Sequence, residues 1–216
     1  MFNKTNNEFF AKRLDDSNIR DYLYSLDSGI DRVEVVDQKL LPVDPLLQNN
    51  YGEDGDCTLT CITTCLYYLS KRQHLQLTIP FIYKGVEQIA KKYFYNGKTY
   101  GTIPFFTKKI FDEALSYFGL KQNTVARYGK IIGYDDKTIK NAINNGRPVI
   151  LSLANDGRSY YEHHSITICG YTDFKICHKR ENLGLTKTMF MVYDNWDSRV
   201  AYVDFNGISL FSSINY

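Results

Sequence analysis

His164-Ser165-Ile166-Thr167-Ile168-Cys169-Gly170-Tyr171 is the stretch on which the reading of this chain turns. Val/Ile/Thr-type residues with a closing glycine predict a strand, here from His163 to Tyr171. Side chains in a strand alternate faces, so His164 lies in line with Ile166 and Ile168, and His163 with Ser165 and Thr167. A histidine that works as a general base needs a fixed orientation and one protected side, which favours His164. His163 reads as an exposed polar strand end. Upstream, Asn145-Gly146-Arg147-Pro148-Val149-Ile150 leads into a buried strand over Pro148 to Leu153. Downstream, a strand over Thr188 to Tyr193 runs into Asp194-Asn195-Trp196.

A base also needs a third group to set its tautomer and orientation. A carboxylate or amide at the end of a neighbouring strand supplies one, and both Asp194 and Asn195 stand there, on opposite strand faces. Trp196, the only tryptophan, is placed to shield such a hydrogen bond from water. Taken alone, the same residues read as a plain turn followed by a surface tryptophan.

The partner for such a base lies earlier. A polar loop, Leu46 to Asp56, delivers Cys57-Thr58-Leu59-Thr60-Cys61-Ile62-Thr63-Thr64-Cys65-Leu66-Tyr67-Tyr68-Leu69. Ile62, Cys65, Leu66 and Leu69 repeat at helical spacing, and Asp56 is a good N-cap. A thiol attacks as thiolate, and a helix N-terminus with a nearby imidazolium favours that form. Of the three cysteines on this face only Cys57 stands at the end where amides are unpaired. Cys61 and Cys65 read as core-lining residues. The Cys-x3-Cys-x3-Cys spacing, even with His74 near, does not match paired metal-ligand spacing, so no metal and no cofactor are expected. Gln48, in the loop before Cys57, could donate its amide to an oxyanion beside the Cys57 N–H, with Asn49 and Asn50 as competitors for that role.

The remaining pattern is α+β. Residues 1–45 suggest a short helix and then a strand around Arg32 to Val36. Val86 to Phe94, Phe105 to Phe118 and Lys137 to Asn145 are amphipathic helix candidates. Val200 to Phe205 and Ile208 to Phe211 read as a final hairpin, and Asp173 to Lys187 as an insertion, a substrate lid or, the safer reading, a solvated loop. The 216 residues suit one domain, with 44% hydrophobic and 23% charged residues. A net charge of +2 gives no field that argues for nucleic acid or an anionic membrane. No apolar run is long enough for a membrane insertion, and no apolar h-region follows the first lysine, so a cytoplasmic location is the default. Five cysteines, an odd number with three clustered, fit a reducing compartment.

The order Gln48, Cys57, His164, then Asp194-Asn195-Trp196 resembles the papain-like cysteine peptidases, and within them the bacterial branch related to the bacteriocin-leader-processing (double-glycine) peptidases. The resemblance runs from about Gln48 to the C-terminus. It implies a papain-like fold: a helical lobe with the catalytic cysteine at a helix N-terminus, packed on an antiparallel β-sheet lobe. Residues 46–216 would form the peptidase domain, with 1–45 an N-terminal extension packed on it. It implies a peptide or protein substrate, cleaved through a thioacyl-enzyme, with Cys57 as nucleophile, His164 as base, Asp194 orienting the base and Gln48 completing the oxyanion hole. The Gln-to-Cys spacing is longer than usual in the family, and Thr58-Leu59 follow the cysteine where Gly or Trp is expected. An acyltransferase, or a non-catalytic peptide-binding module that kept the fold, would carry the same residues. Nothing in the sequence sets the oligomeric state.

Overall fold

The computed structural model describes residues 12–52, 55–99, 101–128, 135–153, 160–161, 163–179, 181–204 and 213–215. Five helices are described, with the 3-10 turn Pro104–Phe106 leading into the fourth: α1 Ile19–Ser25, α2 Cys57–Arg72, α3 Ile79–Lys91, α4 Thr107–Tyr117 and α5 Asp135–Asn144. The strands are β1 Ile30–Leu40, β2 Ala126–Tyr128, β3 Val149–Leu153, β4 His164–His178, β5 Glu181–Tyr193, β6 Ala201–Val203 and β7 Ser213–Asn215. They form one seven-stranded sheet in the order β2-β7-β3-β4-β5-β6, with β1 also paired to β4. Every pairing is antiparallel. Helices packed on an antiparallel sheet make this an α+β, papain-like fold.

β4 organises the sheet. β5 follows one of its edges from Thr167 to His178. On the other edge β3 pairs with His164 to Ile168, and β1 takes over from Gly170 to His178. Gly170 is where a backbone must pass closely, since a Cβ there would meet the Lys39 carbonyl oxygen at 2.3 Å. Residues His164 to Phe174 are buried without alternation. A strand covered on both faces reads as a continuous apolar run, not as a period of two.

α2 is the central helix and is buried on nearly every side. Its Thr and Cys residues are small enough to lie against the sheet, and Thr58 Oγ1 meets Ser165 Oγ at 2.8 Å. Lys71 and Arg72 close its last turn, where positive charge suits the helix dipole. Leu59, Ile62 and Leu66 join Ile82 and Val86 of α3, Ile110 and Phe111 of α4 and Ile168 of β4 in one core.

Several sequence expectations change. Asp173 to Lys187 is no loop: it is the outer half of the β4–β5 hairpin, paired from Asp173–Thr188 to His178–Glu181. Its charged residues conceal a strand because the hairpin's far end is solvated. Of the expected final hairpin, the first arm forms β6 and pairs with β5, while the later strand β7 pairs with β2 and β3. Ile208 to Phe211 lies outside the described residues. α3 begins at Ile79, seven residues before Val86, with proline in its first turn and Thr78 before it, a start signal that the apolar spacing alone did not reveal. The described residues before Leu41 are tied to the sheet: the Tyr202 N–H donates to the Leu14 carbonyl at 2.8 Å, and Tyr22 Oη donates to Asp204 at 2.6 Å.

Candidate active site

Cys57 is the first residue of α2. Asp56 precedes it, but its carboxylate makes no cap bond to the helix. It accepts instead from Tyr83 Oη of α3 at 2.7 Å and from the Asn49 N–H at 3.4 Å, which ties the loop carrying Gln48 to the start of α2. Burial pushes the Asp56 carboxyl up, against the opposing pull of the Tyr83 hydroxyl. Burial also pushes the Cys57 thiol up, and contacts with Ser165 and Thr58 pull it only partly back. The sequence suggested a thiolate favoured by the helix end; desolvation works against that form here.

His164 opens β4 and is 5% exposed. Its Nε2 lies 2.7 Å from the main-chain oxygen of Asp194. A carbonyl oxygen can only accept, so Nε2 carries the proton and Nδ1 is left as an acceptor. Nδ1 makes no hydrogen bond among the described residues. Burial lowers the His164 pKa from 6.5, opposed by the contact with Asp194 and by its charge. Trp196 lies on the imidazole with ring centroids 4.2 Å apart, and Tyr161 flanks it at 6.1 Å.

Asp194 therefore reaches His164 through its main chain. Its carboxylate turns elsewhere: Oδ2 accepts from Arg13 Nε at 2.5 Å and Tyr161 Oη at 3.2 Å, and Oδ1 from the Trp196 and Asp197 N–H groups, each at 3.2 Å. The next residue, Asn195, has φ +64 and is 2% exposed. Its Nδ2 donates to the Ser165 carbonyl at 2.9 Å and lies 3.2 Å from Cys61 Sγ and 3.4 Å from the Cys57 carbonyl. The Asn195 carbonyl in turn accepts the Gln48 N–H at 2.8 Å. One turn, Asp194 to Trp196, thus holds the imidazole, the first turn of α2 and the Gln48 loop together. The Gln48 side-chain nitrogen makes no hydrogen bond to a described residue.

The structure brings Cys57 beside Ser165, the chain neighbour of His164, but no hydrogen bond joins Cys57 to His164 among the described residues. Among those residues no group of three His, Cys, Asp or Glu could hold a metal ion, and no helix is long and apolar enough to cross a membrane. Sequence reasoning missed Arg13, Tyr83, Tyr161 and Ser165. Ser165 was visible as the residue after the base; Arg13 carried no local signal, lying 181 positions from the carboxylate it binds.

A model described as the Peptidase_C39 like family matches residues 40–206. The chain belongs to the Peptidase_C39 like family. This makes it a cysteine peptidase, acting on peptide bonds. The match to this Peptidase_C39-like chain takes in Gln48, Cys57, His164 and Asp194 and begins after Arg13. No curated protein matches the chain.

Proposed function

We propose that this peptidase works through Cys57, His164 and Asp194, with the main-chain carbonyl of Asp194 as the group that orients the base. The observation that carries the reading is the 2.7 Å contact of His164 Nε2 with the Asp194 oxygen, which leaves Nδ1 a free acceptor on the strand beside Cys57. Cysteine and histidine are shifted toward their neutral forms, so the proton moves as the bond forms rather than beforehand. Catalytic contacts in ligand-free enzymes are often long and tighten when substrate arrives. Nδ1 takes the Cys57 proton while sulfur bonds to the scissile carbonyl carbon and the carbonyl π pair moves to oxygen. Gln48 Nε2 and the Cys57 N–H donate to that oxyanion. Collapse breaks the C–N bond and the amine leaves with the proton from Nδ1; a water deprotonated by Nδ1 then attacks the thioester, the C–S bond breaks, and Nδ1 returns the proton to Cys57 as the acid leaves.

The substrate is a peptide or protein, and the stretches Asn145 to Ile150 and His164 to Tyr171 support placement in the bacterial branch near the leader-processing peptidases. Residues 46–216 are the peptidase domain and 1–45 an extension. All five cysteines are free, which supports a reducing, cytoplasmic setting.

The test is limiting iodoacetamide at neutral pH, with the modified cysteine mapped by mass spectrometry in wild type and in His164→Ala. The expected result is selective labelling of Cys57 that drops at least tenfold without His164. Equal inertness of all five cysteines, or labelling of Cys57 that ignores the substitution, overturns the mechanism.

A further inference from the structure

Arg13 lies outside the matched region, yet its side chain ends in the candidate active site. It is 15% exposed, and the Asp194 side chain it meets is 0% exposed. Besides the Nε contact to Oδ2 at 2.5 Å, its Nη2 donates to the Arg199 carbonyl at 2.8 Å. The backbone around it is fixed: Asn18 Nδ2 donates to the Arg13 carbonyl at 2.9 Å, and the neighbouring Leu14 carbonyl is bonded to Tyr202 of β6. A half-buried cation bonded through Nε and Nη2, against a fully buried carboxylate on the residue whose carbonyl meets His164, is more than surface pairing.

We propose that Arg13 is a positioning residue of the catalytic centre: by occupying the Asp194 carboxylate it leaves the Asp194 main-chain carbonyl as the partner of His164 and offsets the negative charge next to the imidazole. The inference rests on His164 being the base. Without Arg13, Oδ2 would retain the Tyr161 hydroxyl and face an uncompensated negative charge in a desolvated place. His164, hydrogen-bonded to the main chain of the same residue, is then a group whose protonated form that charge favours. Among the described residues the ionisable groups around the imidazole are Asp194, Tyr161 and Arg13, with Asp197 and Arg199 beyond the carboxylate, His163 just before β4, and Cys57 and Asp56 at the start of α2. Among them only Arg13 places a cation on the Asp194 carboxylate from the N-terminal segment. The segment before the matched region therefore does chemical work in the site and does not merely cover the sheet.

The experiment is the pH profile of Cys57 alkylation by iodoacetamide in the full chain, for wild type, Arg13→Ala, Arg13→Gln, Arg13→Lys and His164→Ala, with thermal melts of each. Loss of the positive partner should move the acid limb up by about one pH unit in Arg13→Ala and Arg13→Gln, and Arg13→Lys should return it toward wild type. Should Arg13→Ala fail to melt cooperatively, the Arg13→Gln profile decides alone. If His164→Ala loses the limb while the Arg13 profiles superimpose on wild type, the role of Arg13 is overturned and the catalytic reading survives. If His164→Ala leaves the limb unchanged, the reading of His164 itself falls.

Discussion

Trp196 lies nearly parallel to the His164 imidazole, with ring centroids 4.2 Å apart and planes 23° apart. The indole is 47% exposed and lies over the ring whose Nε2 meets the Asp194 carbonyl, with Tyr160 and Tyr161 packed against it. A hydrogen bond open to water competes with water for its donor and gains little net energy. Trp196→Ala is therefore expected to lower kcat about tenfold, equivalent to about 1.4 kcal/mol, with little change in Tm. Trp196→Phe should recover part of it. A Tm that falls with kcat unchanged would show the ring to be packing alone.

The pH dependence follows from two shifts. Burial lowers His164 from 6.5 and raises Cys57 from 9.0. With its folded value depressed, His164 binds fewer protons in the folded chain than in the unfolded chain. Its contribution to stability is thus present above 6.5 and is lost as pH falls through the folded value. Wild type should lose Tm more steeply than His164→Gln on acidification below 6.5. Equal slopes for the two would show that burial leaves the imidazole unshifted. For Cys57, alkylation should rise again with pH above 9.0, beyond the limb set by His164.

Asn195 is the residue that the sequence left in competition with Asp194, and the fold divides the work between them. The main-chain oxygen of Asp194 meets His164, and the Asn195 side chain ties α2 to β4. Its positive φ of 64 makes alanine a strained replacement, whereas glycine removes the amide without strain. Loss of the bond to the Ser165 carbonyl and its neighbours should cost about 2 kcal/mol in Asn195→Gly, with about 1 kcal/mol more in Asn195→Ala. Urea melts of both measure this. Equal stability of wild type and Asn195→Gly would mean the amide anchors nothing.

How much of this was legible in the sequence follows from which forces are local. The helix start at Cys57, the strand starting at His164 and the Asp194-Asn195-Trp196 turn are marked by spacing and by turn residues within a few positions. The α+β class follows from the same signals. The atom by which Asp194 meets His164 was not legible, because its carboxylate is diverted by Arg13, far away in sequence. Nor was the β4–β5 hairpin beyond Asp173, where solvated strands carry no apolar alternation. The pairing of β7 with β3 is fixed by tertiary packing and not by the nearness of β6 and β7 along the chain. The buried Asp56–Tyr83 contact likewise joins two helices whose sequences give no hint of each other.

Gln48 is half-buried, and its backbone is fixed by the bond from its N–H to the Asn195 carbonyl. Substituting the side chain leaves that bond in place. Gln48→Ala should therefore lower kcat by about a hundredfold, the scale of one lost oxyanion donor, with KM and Tm nearly unchanged. Steady-state kinetics on a cleavable peptide checks this, and an unaltered kcat would assign the donor role to another group.

Gly170 tests whether β1 must lie close to β4 for the site to form. An alanine Cβ would stand 2.3 Å from the Lys39 oxygen and 3.1 Å from Leu40 Cα, both backbone atoms, and 2.7 Å from the Met191 methyl. The methyl can move but the backbone can do so only by lifting β1 from β4. The strain falls next to the bond from the Leu41 N–H to the Cys169 carbonyl, where the chain leaves for the Gln48 loop. Gly170→Ala should cost about 2–3 kcal/mol and lower activity as well. Gly119→Ala provides the contrast: its Cβ would meet open space, and only the positive φ of 67 opposes it, so about 1 kcal/mol and no loss of activity are expected. If the two substitutions cost the same and neither touches activity, the close passage of β1 over Gly170 is not what holds the Gln48 loop in place.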